Sequence, residues 1–295
     1  MQISSRNALA TDSIRKELKT VFAKVHSYLR RRDFSNAVKL ADNPRKDDVT
    51  LSFDAGAEKI IFRYFDRWAS THQLSIRFKS EEAGDFVTGS GTPALTLYID
   101  PVDGSTNFKR GIESTAVSIA VIIGDKSIRP SSVDVALVGS IWSGRVHSAE
   151  RDAGYFLYDP FIDREREIRT SGVASIEDAL VGVDLDFRPA ERWKLNRIQP
   201  ILRQAGMIRR GGSAALDSVY VASGSYDACL DVRDVSTAEN FIAVSLIVRR
   251  AGGVLTDAHG FDIPDASNLS KTFNWLASAN QVLHEDILKR LDWET

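Results

Sequence analysis

The stretch from Leu95 to Asn107 constrains this chain more than any other. Leu95 to Ile99 is a hydrophobic strand, and it runs directly into Asp100-Pro101-Val102-Asp103 and then Gly104-Ser105-Thr106-Asn107. Pro101 interrupts the regular alternation of a strand, so Asp100 and Asp103 can converge with the Val102 carbonyl between them. Gly104 allows close backbone approach, the amides after it can cradle an anion, and Ser105 and Thr106 add hydroxyls. Two carboxylates and a carbonyl suit a hard cation such as Mg²⁺, which takes about six oxygens, many of them from water or substrate. The same residues also make an ordinary Asp-Pro-x-Asp-Gly surface turn. Alone, the stretch leaves both readings open.

The rest of the composition narrows the setting. A chain of 295 residues, 43% of them hydrophobic, fills one large domain or two intimately packed halves. The formal net charge is −2 and no long basic or acidic run occurs, so neither a nucleic-acid surface nor an anionic-membrane surface is expected. Arg30-Arg31-Arg32 ends an N-terminal helix, where the charges complement its dipole. Cys229 is the single cysteine, which rules out an intrachain disulfide and fits a reducing compartment. No signal-peptide core and no apolar run of about 18 residues is visible, so a cytoplasmic protein is expected.

Hydrophobic periodicity divides the chain into elements. Thr11 or Asp12 is placed to cap a first helix with Ile14, Leu18, Val21, Phe22, Val25 and Leu29 on one face. A loop from Asp42 to Asp48 follows, then a helix from about Ala55 to Trp68 that packs through Ile60, Ile61, Tyr64 and Phe65. From Leu74 the period becomes two. Strands are expected at Leu74–Lys79, Leu95–Ile99, Ala116–Ile123, Val133–Ile141 and Gly154–Tyr158, with Gly124-Asp125 as a turn. The second half reads as a strand at Leu180–Leu185, a helix at Ala190–Ala205, a helix at Ala214–Ala222 closed by Gly224, and a strand at Tyr226–Val232. It continues with a helix at Ala238–Arg250 closed by Gly252-Gly253, strands at Val254–Asp257 and Phe273–Ala277, and a helix at Val282–Leu291.

Further acidic and glycine-rich positions accompany the first motif. Glu81-Glu82 ends a strand. Asp47, Asp48 and Asp54 bracket Thr50 at the start of the second helix, where Asp54 would serve equally as a helix cap. Gly211-Gly212-Ser213-Ala214 opens a helix whose amides can face an anion. Arg209-Arg210 can meet a second anionic group or face solvent. Asp184-Leu185-Asp186 ends a strand as a loop cap or a hydroxyl contact. The five histidines are scattered without metal-ligand spacing and read as surface or structural residues.

Together these segments resemble the inositol monophosphatase-like family, Mg²⁺-dependent, lithium-sensitive phosphatases that include archaeal and bacterial enzymes acting on inositol monophosphate and fructose 1,6-bisphosphate. Asp100 to Phe108 matches the family pattern D-P-[IVL]-D-G-[ST]-x-N-F at every position. Glu81-Glu82 matches a Glu-Glu pair, Asp54 an aspartate, Ile208 to Ala215 a substrate-side segment, and Ala251-Gly252-Gly253-Val254-Leu255-Thr256-Asp257 the end of a second signature.

The resemblance implies a layered αβαβα fold in the α/β class. A mixed or antiparallel N-terminal sheet over residues 1–179 would carry most metal ligands, and a smaller C-terminal α/β subregion over 180–295 would complete the substrate site. It implies two or three Mg²⁺ ions, with Mn²⁺ as a substitute, held by Glu82, Asp100, Val102, Asp103, Asn240 and Asp54. Asp54, Ser105 and Glu82 would be catalytic. Asp103, Gly104, Ser105, Gly212, Ser213, Ala214, Arg209 and Arg233 would bind substrate, Arg233 within an Asp231-Val232-Arg233 segment that resembles one near the sugar in archaeal members. The expected partner is a phosphorylated polyol or sugar, the expected assembly a homodimer. The implied activity is phosphomonoester hydrolysis on inositol or a sugar, with fructose 1,6-bisphosphate and 3′-phosphoadenosine 5′-phosphate as alternatives. One position departs from the pattern: the second signature expects Trp-Asp where this chain has Glu239-Asn240. An asparagine offers an uncharged amide oxygen, so a binding relative with impaired turnover is a further reading. Asp234 precedes the helix as a candidate replacement.

Overall fold

A computed structural model describes residues 9–31, 39–43, 48–124 and 126–293, with the backbone alone for 39–43 and 48–51. Helix α1 (Thr11–Arg30) places Ile14, Leu18, Val21, Phe22, Val25 and Leu29 on one buried stripe, at the expected spacing. Its start differs from expectation. Ala10 occupies the N-cap without a side-chain bond, the Thr11 hydroxyl donates to Glu150 Oε2 at 2.7 Å, and Asp12 pairs with Lys16. A partner on a distant strand has taken the hydroxyl that a local cap would use. Strands β1 (Lys39–Asn43) and β2 (Asp48–Leu51) pair antiparallel and take in the ends of the loop expected from Asp42 to Asp48, namely Asp42, Asn43 and Asp48. Residues 44–47, Asp47 among them, and Arg32 and Asp125 lie outside the described residues. Helix α2 (Ser52–His72) extends beyond the expected bounds at both ends.

The first sheet has eight strands: β3 (Ile76–Ser80), β4 (Gly84–Thr88), β5 (Leu95–Asp103), β6 (Ala116–Ile123), β7 (Val135–Ser140), β8 (Val146–Glu150), β9 (Tyr155–Asp159) and β10 (Arg164–Glu167). Their order is β10-β9-β8-β7-β6-β5-β3-β4, and β3 with β5 is the parallel pair. A short helix α3 (Ser105–Lys109) follows β5. The second sheet has five strands, ordered β12-β11-β13-β15-β14, built from β11 (Leu180–Val183), β12 (Met207–Arg209), β13 (Ala228–Ser236), β14 (Val254–Asp257) and β15 (Phe273–Ser278). Here β11 is parallel to both its neighbours, and β15 is antiparallel to β13 and β14.

The remaining helices are α4 (Gln199–Gln204), α5 (Ala214–Ala222), α6 (Ile242–Arg250) and α7 (Gln281–Leu288). The helix expected over Ala190–Ala205 is split: Pro189–Ile198 is a 3-10 segment and α4 begins anew. Pro200 explains the break, because it has no N–H to donate and its ring would collide with the carbonyl four residues earlier. The helix expected from Ala238 is likewise divided at Phe241 into a 3-10 turn, Ala238–Asn240, and α6.

Three apolar cores set the layers. Residues of α1 and α2 pack with Leu95, Leu97, Ile99, Val117, Ile119 and Leu137 on one face of the first sheet. Tyr98, Ala116 and Ala120 on its other face share a core with α5, α6 and Trp275 and Ala277 of the second sheet. The far face of that sheet, with Val181, Leu230 and Leu276, packs against Ile201 of α4 and Leu283 and Ile287 of α7. The architecture is therefore αβαβα, with α5 and α6 as the middle layer between the sheets. No helix of the described residues is long and apolar enough to cross a membrane.

Candidate active site

The site begins where β5 changes its register. Asp100 lies opposite Ser118 and Asp103 opposite Ala116, so three steps on β5 match two on β6. Residues three apart on a regular strand point to opposite faces; the extra residue of this bulge returns both aspartates to one face. That face is the one Tyr98 and Ala116 turn toward the middle helices. The strand thus does not end at Pro101 but bulges there, where a residue without an N–H is tolerated. Val102 buries its side chain in the opposite core and leaves its carbonyl at the bend.

Gly104 then takes φ +87°, and a Cβ there would stand 2.9 Å from the Ser114 carbonyl oxygen and 3.2 Å from that of Gly212. Only glycine fits both the conformation and the gap. Asn107 fastens the resulting turn, its Nδ2 donating to the Ser114 carbonyl at 2.9 Å and the Gly211 carbonyl at 2.8 Å. The β5–α3 turn and the glycine turn before α5 are in this way held against each other, although they are a hundred residues apart in sequence.

Three carboxylates are buried here: Asp54 and Asp100 are 1% exposed, Asp103 7%. Ser105 Oγ lies 3.0 Å from Asp54 Oδ1 and 2.9 Å from the Val102 carbonyl oxygen, so its proton is shared between them. Asp100 Oδ1 accepts from the Val102 N–H at 3.1 Å. Asp103 Oδ2 accepts from Ser213 Oγ and, at 2.7 Å, from the Ala215 N–H. The N-terminus of α5 therefore compensates a buried carboxylate with one of its own amides. Asp54 sits within the first turn of α2, not at its cap.

Two further buried carboxylates support the site, and neither stood out in the sequence. Glu58, one turn after Asp54 on α2, accepts from Ser80 Oγ and from the Ala83 N–H at 2.9 Å, which fixes the β3–β4 turn that carries Glu81-Glu82. Burial raises its pKa above the ordinary carboxylate value, and the neighbouring Glu81 adds to this. Asp217 on α5 accepts from the Gly211 and Gly212 N–H groups at 3.0 and 3.1 Å through Oδ2. Among the described residues its buried Oδ1 has no hydrogen-bond partner, and a Cβ on Gly211 would overlap it. Burial, reinforced by the charge of Asp103, lifts the Asp217 pKa to about 7. The only signal for either in the sequence is a charged residue on the inward face of a helix.

These elements enclose a cleft of about 490 Å³. Asp100, Val102, Asp103, Gly104, Ser105 and Gly212 line it, with Asn240 beside them. Of the acidic pair, Glu81 lines the cleft, whereas Glu82 is half-buried in the β3–β4 turn and does not. Of the arginine pair, Arg210 lines it and is paired with Asp186, another lining residue. Arg209 lies outside, with its guanidinium on the Ile208 carbonyl. Arg233 is also outside the lining: it grips Asp231 through two bonds of 2.9 and 2.7 Å and reaches Asp184 at 2.9 Å. Burial raises the pKa of Asp231 despite that arginine. Arg110 and the exposed Ile112 complete the rim, both unmarked by any motif.

Asn240 was expected to present its amide oxygen to a cation. That oxygen instead accepts from the Thr237 N–H at 3.2 Å and from Ser236 Oγ at 3.3 Å, as part of the cap of its own 3-10 turn. Asp234 is drawn away from the cleft by Arg197 at 2.7 Å, Lys194 at 3.0 Å and the Asn274 amide. Two histidines are structural: His147 bonds Tyr155 Oη and is held down to about 3 by burial, and His284 bonds Thr256 and Ser278.

The candidate cation ligands of the cleft are all oxygens. Among the described residues no three His, Cys, Asp or Glu side chains stand together as a preformed metal cage. Two neighbouring carboxylates and a bent-out carbonyl, with Glu81 on the same cleft wall, form an open set. Such a set suits Mg²⁺ or Mn²⁺, which retain waters and take oxygens from a phosphorylated ligand.

The layered αβαβα fold carries an acidic, glycine-bordered cleft whose oxygens suit a divalent cation beside a phosphorylated ligand. Residues 10–293 match the inositol monophosphatase family. The chain belongs to that family of phosphatases. It is 31% identical over 218 residues to the fructose-1,6-bisphosphatase/inositol-1-monophosphatase of Methanothermobacter thermautotrophicus, covering 72% of this chain and 74% of that one. It is 34% identical over 215 residues to the inositol-1-monophosphatase of Rhizobium meliloti, covering 72% and 73%. Among solved structures, the extragenic suppressor protein suhB of Bartonella henselae superposes with a TM-score of 0.80 at 25% identity, over 96% of this chain and all of that one.

Proposed function

We propose that this chain hydrolyses a phosphomonoester of inositol or a sugar by attack of water assisted by divalent cations. The observation that carries the reading is the bulge of β5, which sets Asp100, Asp103 and the Val102 carbonyl on the same cleft as the Gly104–Thr106 turn. Asp100, Asp103 and the Val102 carbonyl, with Glu81 or Glu82 and Asp54, would hold Mg²⁺ or Mn²⁺. Such a cation, when bound, lowers the pKa of a bound water and neutralises charge on the phosphoryl oxygens.

The protein's own groups do the rest. The Gly104–Thr106 turn offers backbone N–H groups to the phosphoryl oxygens. Asp54 accepts from Ser105 Oγ and so holds that hydroxyl toward the position of the attacking water. Asp103, fixed by Ser213 and Ala215, cannot swing away as the substrate enters. No nucleophilic side chain is required. Lithium would inhibit by replacing the more weakly held cation.

Arg210 at the rim favours a second substrate class. It is partly exposed and paired with Asp186, and a second phosphate group would compete for it. A sugar bisphosphate is therefore the second reading, in line with the name carried by the Methanothermobacter relative. Release of phosphate from inositol 1-phosphate, fructose 1,6-bisphosphate and 3′-phosphoadenosine 5′-phosphate, measured with Mg²⁺ and with chelator, tests the proposal. Turnover of one of the first two, dependent on Mg²⁺, supports it; no release from any overturns it.

A further inference from the structure

Asn240 faces the cleft from the 3-10 turn between β13 and α6, and its neighbours determine which way its amide is turned. Trp275 Nε1 can only donate, and it donates to Ser236 Oγ at 2.9 Å. The single Ser236 proton is then directed to Asn240 Oδ1. The Thr237 N–H, an obligatory donor, points to the same atom. Two donors on one atom require an oxygen there, which fixes the flip of the amide. Trp275 and Ser236 are 1% and 3% exposed, so water does not compete for these bonds. With Oδ1 so engaged, Nδ2 is the amide atom left for the cleft that Asn240 lines, and among the described residues nothing accepts from it.

An aspartate at this position would receive the same two donors on one oxygen and turn its second oxygen outward as an anionic cation ligand. Asparagine turns out an N–H donor instead, which a cation repels and an anionic oxygen attracts. We infer that Asn240 is a substrate-binding residue whose Nδ2 donates to a phosphoryl oxygen, and that this position holds no cation. The inference rests on the reading of the cleft as a phosphate site. A hydroxyl of the polyol is the competing acceptor, but the cleft also holds the Gly104–Thr106 turn, Arg110 and Arg210, all suited to anionic oxygens.

The test compares the full chain with Asn240→Asp and Asn240→Ala. Equilibrium dialysis counts bound Mn²⁺, and calorimetry measures inorganic phosphate and, separately, inositol. Asn240→Asp preserves both inward hydrogen bonds and so probes the position without loosening the turn; it should bind one more Mn²⁺ per chain. Asn240→Ala should bind the same number of Mn²⁺ as the parent but inorganic phosphate about tenfold more weakly, the size of one hydrogen bond to a charged group. Equal Mn²⁺ counts in the parent and Asn240→Asp would overturn the inference. So would an unchanged phosphate affinity in Asn240→Ala, or a loss seen with inositol and not with phosphate. These are binding measurements, so failure to release phosphate from any substrate would refute the proposed function and leave this inference intact.

Discussion

Replacing Asp217 by asparagine should stabilise the protein at alkaline pH and do little at acid pH. The carboxyl is 7% exposed, it bonds two glycine N–H groups through one oxygen, and among the described residues its other oxygen has no hydrogen-bond partner. Its pKa is raised by burial to about 7 in the folded chain, against an ordinary value of 3.8. A carboxyl with a raised folded pKa stabilises the fold fully only below its unfolded pKa, and that contribution drains away as pH rises to the folded value. The loss is about 1.4 kcal/mol per pH unit in that window, reaching about 4 kcal/mol well above pH 7. Asparagine keeps an oxygen for the two N–H groups and does not ionise. Between pH 5 and pH 8 the stability of Asp217→Asn relative to the parent should therefore improve by roughly 3 kcal/mol. Urea unfolding at the two pH values measures this directly, and other titrating groups cancel in the comparison. A difference between the proteins that does not change from pH 5 to pH 8 would show instead that Asp217 is ionised without cost.

Other substitutions probe the remaining supports of the site. Glu58→Ala leaves the Ser80 hydroxyl and Ala83 N–H without their buried acceptor; it should cost about 1–3 kcal/mol in urea unfolding and raise the Mg²⁺ concentration for half-maximal activity. Gly104→Ala meets both a left-handed backbone and two carbonyl oxygens; a loss of about 2 kcal/mol or more and of most activity is expected, and near-normal stability would contradict the close approach. Asp186→Ala removes the nearer carboxylate partner of Arg210 and leaves Asp184 at 3.7 Å; if a second phosphate uses that arginine, KM for fructose 1,6-bisphosphate should fall while KM for inositol 1-phosphate stays within about twofold.

The parts legible in the sequence were those where one local pattern decides the structure. The α1 stripe from Ile14 to Leu29 and the bounds of β6, α5 and β14 follow from periodicity and turn residues alone. The segment Asp100 to Asn107 marked this wall of the cleft because the bulge, the positive-φ glycine and the Asn107 clamp each leave a residue signature within eight positions. The rest depends on contacts between distant segments. Strand β8 was missed because Val146-His147-Ser148-Ala149-Glu150 lacks an apolar run; its polar side chains are buried only because Tyr155 and Arg15 satisfy His147 and Glu150. Thr11 is diverted from its cap by Glu150, and the helix after Ala190 is broken by Pro200. At the site, Glu81 and Arg210 line the cleft where the adjacent Glu82 and Arg209 were expected, a one-residue distinction set by turn geometry that no motif encodes. Asn240 was visible as a departure, but the direction of its amide depends on Trp275, a strand away in the second sheet.

As proposed, the bulged end of β5 would make this cleft a cation-assisted phosphatase site. The most direct measurement is phosphate release from inositol 1-phosphate and fructose 1,6-bisphosphate by the parent and by Asp100→Asn, each with saturating Mg²⁺. Mg²⁺-dependent release by the parent, abolished by chelator, is expected, with a loss of at least about a hundredfold in the variant without loss of folded structure. Release that survives chelation, or an Asp100→Asn protein as active as the parent, would contradict this proposal.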